Sequence, residues 1–150
     1  MKAEYNKYLF ISSEHLELLI KDAISRYPEE ACGFLGGKAK TVKTVYLLSN
    51  MRKSPVEYLP DPEEQVKAFS EMQKKAERLL AIYHSHPGAA AYPSSVDIER
   101  AICPEYLHLI VSVNKRGASQ VRCFHIENGE VEEVKIRVIT NRRKKDGNSG

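Results

Sequence analysis

The stretch from Tyr83 to Ala101, YHSHPGAAAYPSSVDIERA, concentrates the chemistry of this chain. His84 and His86 stand two apart, Pro87 follows at once, and Ser94 and Asp97 come after a loop of small side chains. On a strand, residues i and i+2 face the same side, so both imidazoles would reach one site. Pro87 ends the strand pairing, and the six-residue GAAAYP loop is long enough to return Asp97 over the histidines. Two imidazoles, one carboxylate and a water make a four-coordinate zinc site with an open position, suited to activating water. Ligand type also allows Fe²⁺. A plainer reading treats the histidines as polar groups at a sheet margin, with Ser94 and Asp97 as a helix-starting capping box. That reading leaves the histidine pair and Pro87 unexplained. Spacing alone leaves both open.

The elements that must position these residues are readable from periodicity. SSEHLELLIKDAISRYP places Leu16, Leu19, Ile20, Ala23 and Ile24 at helical spacing, with Ser12 or Ser13 as cap and Pro28 as the stop. ACGFLGG and TVKTVYLLSN then read as two strands joined by a tight turn. Residues 51–60, MRKSPVEYLP, form a proline-interrupted loop that could cover a site as a flap. Asp61 and Pro62 open a second helix, whose stripe Val66, Phe69, Met72, Ala76 and Leu79 is expected in the core. LLAIYHSH is a strand that turns polar only at its end, and a short helix is expected over 95–101. YLHLIVSVN reads as a buried strand, SQVRCFHI as its partner, and the Asn128-Gly129 turn leads into EVEEVKIRVI. Helices between strands, then antiparallel hairpins, predict a single α/β domain with a curved mixed sheet.

Composition narrows the function classes. A chain of 150 residues with 42% hydrophobic and 29% charged side chains describes one soluble globular domain. No apolar run approaches the roughly 18–20 residues of a membrane span, and the N-terminal residues lack a secretory pattern, so a cytoplasmic protein is expected. Cys32, Cys103 and Cys123 form no CxxC pair and no disulfide framework, and they read as small buried hydrophobes. The net charge of +3 resides in the last ten residues, NRRKKDGNSG. The other 140 residues hold 19 basic and 19 acidic side chains, so the body offers no basic stripe for nucleic acid. The expected organisation is a domain over 1–140 and a basic, disordered tail over 141–150.

His84-Ser85-His86-Pro87, six residues, then Ser94-Ser95-Val96-Asp97 resembles the HxHP…SxxD signature of the JAMM (MPN+) metallopeptidases. Glu30-Ala31-Cys32-Gly33 is similar to that family's upstream E-x-C-G stretch, and the likeness covers about residues 10–139. The resemblance implies a JAB1/MPN-like (cytidine-deaminase-like) fold, with a largely antiparallel sheet flanked by helices. It implies one Zn²⁺ held by His84, His86 and Asp97, with Glu30 as general base and Ser94 as donor to the oxyanion. Because the chain is short and undecorated, it resembles the stand-alone prokaryotic branch. That implies hydrolysis of the amide or isopeptide bond after the C-terminal Gly-Gly of a ubiquitin-like sulfur-carrier protein, releasing an amino acid such as cysteine or a protein. The partner is then that carrier, with no membrane, while the sequence leaves monomer or homodimer open. Gly88 to Ala91 departs from the polar residue many relatives carry after the proline, and is expected to bear on the leaving group. A non-catalytic scaffold would lack the ligand set, and a nucleobase deaminase would need a PCxxC pair that is absent.

Overall fold

A computed structural model describes residues 7–140; the basic stretch 141–150 lies outside the described residues. The chain runs β1 (Tyr8–Ser12), α1 (Ser13–Arg26), β2 (Cys32–Lys38), β3 (Thr41–Leu48), α2 (Pro62–Lys74), β4 (Arg78–Pro87), α3 (Ser95–Arg100), β5 (Leu107–Asn114), β6 (Gly117–Glu127) and β7 (Glu130–Ile139). No described helix is long and apolar enough to cross a membrane.

The seven strands close into a barrel in the order β1-β3-β2-β4-β5-β6-β7. Pairing is antiparallel for β3-β2-β4 and β5-β6-β7, and parallel at β4-β5 and on both sides of β1. The expected mixed, largely antiparallel α/β sheet is therefore present, and its curvature goes as far as closure. Strand β1 does the closing, and periodicity did not predict it. It pairs with β7 along its whole length but meets β3 only at Phe10 and Thr41.

Helix α1 starts where its sequence dictates, with the Ser12 hydroxyl accepting the His15 N–H at 3.1 Å. Its Leu19 and Ala23 pack with Leu9, Ile11, Leu35, Tyr83, Leu109 and Val111 on one face of the sheet. Burying an aliphatic side chain of this size contributes roughly 1.5–3 kcal/mol. On the other face, α2 lays Ala68 and Met72 over Cys32, Phe34 and Leu48. The predicted α2 stripe fails in part. The helix stops at Lys74 and Ala76 turns left-handed at φ 56°, so Leu79 belongs to β4 instead. Val66 and Phe69 stay exposed, although Phe69 tilts against Phe34 at 5.0 Å.

Candidate metal centre

Strand β4 is buried through its last turnless residues, and its alternation aims His84 and His86 at the same side. Both are buried, and their Nε2 atoms stand 3.1 Å apart. Register sets them in place: His84 pairs with Cys32 of β2 on one side and Ile110 of β5 on the other. Gly33 permits this closeness, since a Cβ there would lie 2.6 Å from the Tyr46 carbonyl oxygen and 3.2 Å from the Tyr83 ring.

The Gly88–Ala91 stretch turns out to serve a histidine. Gly88 takes φ 72° and donates its N–H to Val113, while Ser112 Oγ donates to the Ala89 carbonyl at 2.6 Å. Ala91 is fully buried against Ile110 and Phe124. The fixed loop presents the Ala90 carbonyl 2.8 Å from His86 Nδ1. A carbonyl accepts only, so Nδ1 carries a proton, and in the neutral ring the Nε2 lone pair faces the site.

Helix α3 returns the carboxylate. Asp97 Oδ2 lies 3.2 Å from His84 Nε2, 3.0 Å from His86 Nε2, and accepts the Ser94 N–H at 2.9 Å. Ser94 Oγ in turn accepts the Asp97 N–H at 3.1 Å, completing the capping box. Capping and convergence on the histidines, which looked like rival uses of Asp97, are therefore compatible in one rotamer. Burial alone would raise the Asp97 carboxyl, but the bonds from both imidazoles hold it well below the usual carboxylate range. Burial lowers His84. It would lower His86 too, but the bonds to Asp97 and Ala90 outweigh it and lift that imidazole.

Glu30 lies in the segment before β2 and is 4% exposed. Its Oε1 is buried without a hydrogen-bond partner. Burial pushes its carboxyl up to about 8, with the His86 charge opposing. Ligand atoms of Glu30, His84 and His86 lie within 4.8 Å of one another and could hold a metal ion. Two carboxylates thus compete for the third position. Of the two, Asp97 places its Oδ2 within 3.2 Å of both ring nitrogens. Imidazole and carboxylate donors converging on one buried point, beside a carboxylate oxygen with no protein partner, fit a metal ion.

All five residues singled out by sequence are brought to one locality. Three neighbours escaped sequence reading. Ser85, between the histidines, accepts the Ala31 N–H through Oγ at 2.7 Å. Tyr58 stacks on the His84 ring with centroids 4.6 Å apart and planes 21° apart. Asn50 is buried under the 51–60 loop. Only Ser85 had a local signal, its place inside the HSH triplet; the others act through tertiary contact.

A closed α/β barrel that joins an HxHP strand end, a capped SxxD helix and a buried upstream glutamate has the design of the JAMM hydrolases. The sequence profile of prokaryotic homologues of the JAB domain matches residues 12–126, and the chain belongs to that family. It is 30% identical over 133 residues to the CysO-cysteine peptidase of Mycobacterium tuberculosis, covering 87% of this chain and 91% of the relative. It is 33% identical over 137 residues to the desampylase of Pyrococcus furiosus, covering 91% and 96% respectively. A solution structure of a protein from Desulfitobacterium hafniense superposes with a TM-score of 0.79 at 31% identity, covering 89% of this chain and 94% of that one.

Proposed function

We propose that this chain hydrolyses the amide or isopeptide bond following the C-terminal Gly-Gly of a ubiquitin-like sulfur-carrier protein. His84, His86 and Asp97 hold Zn²⁺ in this reading. The observation that carries it is the convergence of three donor atoms, 3.0–3.2 Å apart, beside the unpartnered Oε1 of Glu30. When bound, zinc supplies Lewis acidity and makes a neighbouring water more acidic. Glu30 takes the proton from the attacking water and delivers it to the leaving amine nitrogen. Its burial suits that task, because a carboxylate short of solvent accepts a proton readily. Ser94 Oγ accepts from Asp97 N–H and so keeps its own proton to donate to the carbonyl oxygen as that atom gains charge.

The kind of substrate is supported by relatives named CysO-cysteine peptidase and desampylase. A groove of about 270 Å³ runs from Asp97 between the 51–60 loop and α3, walled by Tyr58, Ile82, Val96, Tyr106 and His108. Aromatic and branched walls leave room for a thin, extended chain, which a Gly-Gly tail provides.

The test is Glu30→Gln, assayed on a carrier-protein adduct with zinc measured by atomic emission. Zinc content stays at the wild-type level and turnover falls by roughly 10²–10⁴-fold, the usual worth of a general base. Turnover at the wild-type rate would sink the assignment of Glu30.

A further inference from the structure

We propose that Asn50 is a positioning residue: its side-chain amide ties the 51–60 loop to the backbone of Glu30 and thereby fixes the candidate base and the ring behind His84. The inference rests on the reading of Glu30 as general base.

Asn50 lies two residues past β3 and is 6% exposed. An amide side chain has two N–H donors and an oxygen with two lone pairs, and here every one is used. Nδ2 donates to the Glu30 carbonyl at 3.0 Å and to the Glu57 carbonyl at 3.1 Å. Oδ1 accepts the Arg52 N–H at 3.0 Å and the Leu59 N–H at 2.9 Å. One side chain therefore joins the segment before β2 to both limbs of the loop.

The loop answers in kind. Ser54 offers its carbonyl to the Glu30 N–H at 2.8 Å, so both backbone polar groups of Glu30 are bound by residues 50–54. The Met51 N–H donates to the Leu59 carbonyl at 2.8 Å, and Asn50 bridges to Pro60. Residues 51–60 are thus a loop sealed at its neck.

Two consequences converge on the site. Glu30 lies two residues before β2, and its Oε1 has no partner. Its aim is set by its backbone, and its backbone is set by the loop. Tyr58 lies between Glu57 and Leu59, both gripped by the same amide, so the ring stacked on His84 is held at its two neighbours. Asparagine is the side chain that meets this need. Aspartate would keep the two acceptors but lose the two donors, and alanine would lose all four bonds.

The experiment compares Asn50→Asp, Asn50→Ala and Glu30→Gln in the zinc-loaded chain at pH 8. It reads kcat and KM on a carrier-protein adduct, zinc content, and hydrogen–deuterium exchange at the Glu30 and Ala31 amides. With Asn50→Asp, the loop neck keeps its acceptor. KM stays within about twofold, while kcat falls roughly 10- to 100-fold, as misplacement of a reacting group does, and exchange at Glu30 accelerates. With Asn50→Ala, KM rises as well. Zinc content is unchanged in Asn50→Asp, which separates positioning from loss of the metal. Wild-type exchange at Glu30 in both Asn50 variants overturns the proposal whatever the activity. Accelerated exchange with wild-type kcat also overturns it, provided Glu30→Gln is inactive. Full activity in Glu30→Gln would instead remove the base reading, with the exchange measurement still deciding whether Asn50 holds the segment.

Discussion

His84 and His86 are oriented by different means, and the difference is chemical. His86 has an acceptor on its far ring nitrogen, the Ala90 carbonyl at 2.8 Å. His84 Nδ1 is buried without a partner, and the Tyr58 ring lies against its face instead. A hydrogen bond fixes both tautomer and angle; stacking fixes the angle alone. With these histidines as ligands, Tyr58→Ala should weaken zinc binding roughly 10-fold, the lower end for loss of a supporting group. Tyr58→Phe, which keeps the ring, should bind as the parent does. A competition titration with a chelating dye measures both, and equal affinity in Tyr58→Ala would show that the strand alone orients His84. At this scale the sequence was legible where the donors are local. His84, His86, Ser94 and Asp97 fall within one strand-loop-helix, so their types and spacing carry the geometry. Asn50 lies far along the chain from Glu30 and Tyr58 from His84, and nothing in a proline-interrupted loop distinguishes a wall from a flap.

At the scale of elements, boundaries followed local chemistry wherever local chemistry sufficed. Ser12 and Asp61 start α1 and α2 because each side chain accepts first-turn N–H groups. Strand β1 was illegible because its stability lies elsewhere: five residues become a strand only by pairing with β7 at the other end of the chain. The end of α2 was misread because KKAER continues a helical pattern, while Ala76 takes a left-handed turn. Energetics should divide along the same lines. Leu109 is fully buried between β4 and β6, so Leu109→Ala should cost about 2–5 kcal/mol. Tyr92 is half-exposed, set edge-on to Phe124 at 5.3 Å beneath Arg122, which pairs with Glu133 at 2.7 Å. Tyr92→Ala should cost about 1 kcal/mol, the order of one aromatic pair. Urea unfolding monitored by circular dichroism distinguishes the two; equal losses would mean that the Gly88–Pro93 loop is as much core as β5.

For the whole molecule, burial sets the response to alkali. The thiols of Cys32 and Cys123 are pushed up to about 12 by burial, from an ordinary value of 9.0. The phenols of Tyr58 and Tyr83 are raised for the same reason. A group whose pKa is raised by folding stabilises the native state fully below its unfolded value and loses that contribution as pH climbs toward the folded one. Cys32, Cys123, Tyr58 and Tyr83 therefore act together. Glu30, raised from 4.5 to about 8, gives up its share as pH rises between those values, and the melting temperature should then fall more steeply above pH 9–10, which calorimetry across that range would show. A flat profile to pH 11 would mean that these groups ionise without leaving the core.

The closure of the barrel bears on how the protein avoids its own kind. A sheet rim with unsatisfied amides templates pairing with another copy, and β7 has only β1 to cover its outer side. The opposite contact of β1 is a single residue pair, Phe10 with Thr41. The five residues of β1 thus have two tasks: Leu9 and Ile11 fill the core, and their backbone covers β7 along its length. A change that lifts β1 from β7 would therefore do two kinds of harm at once, opening a rim to self-association and emptying the places of Leu9 and Ile11 in the core.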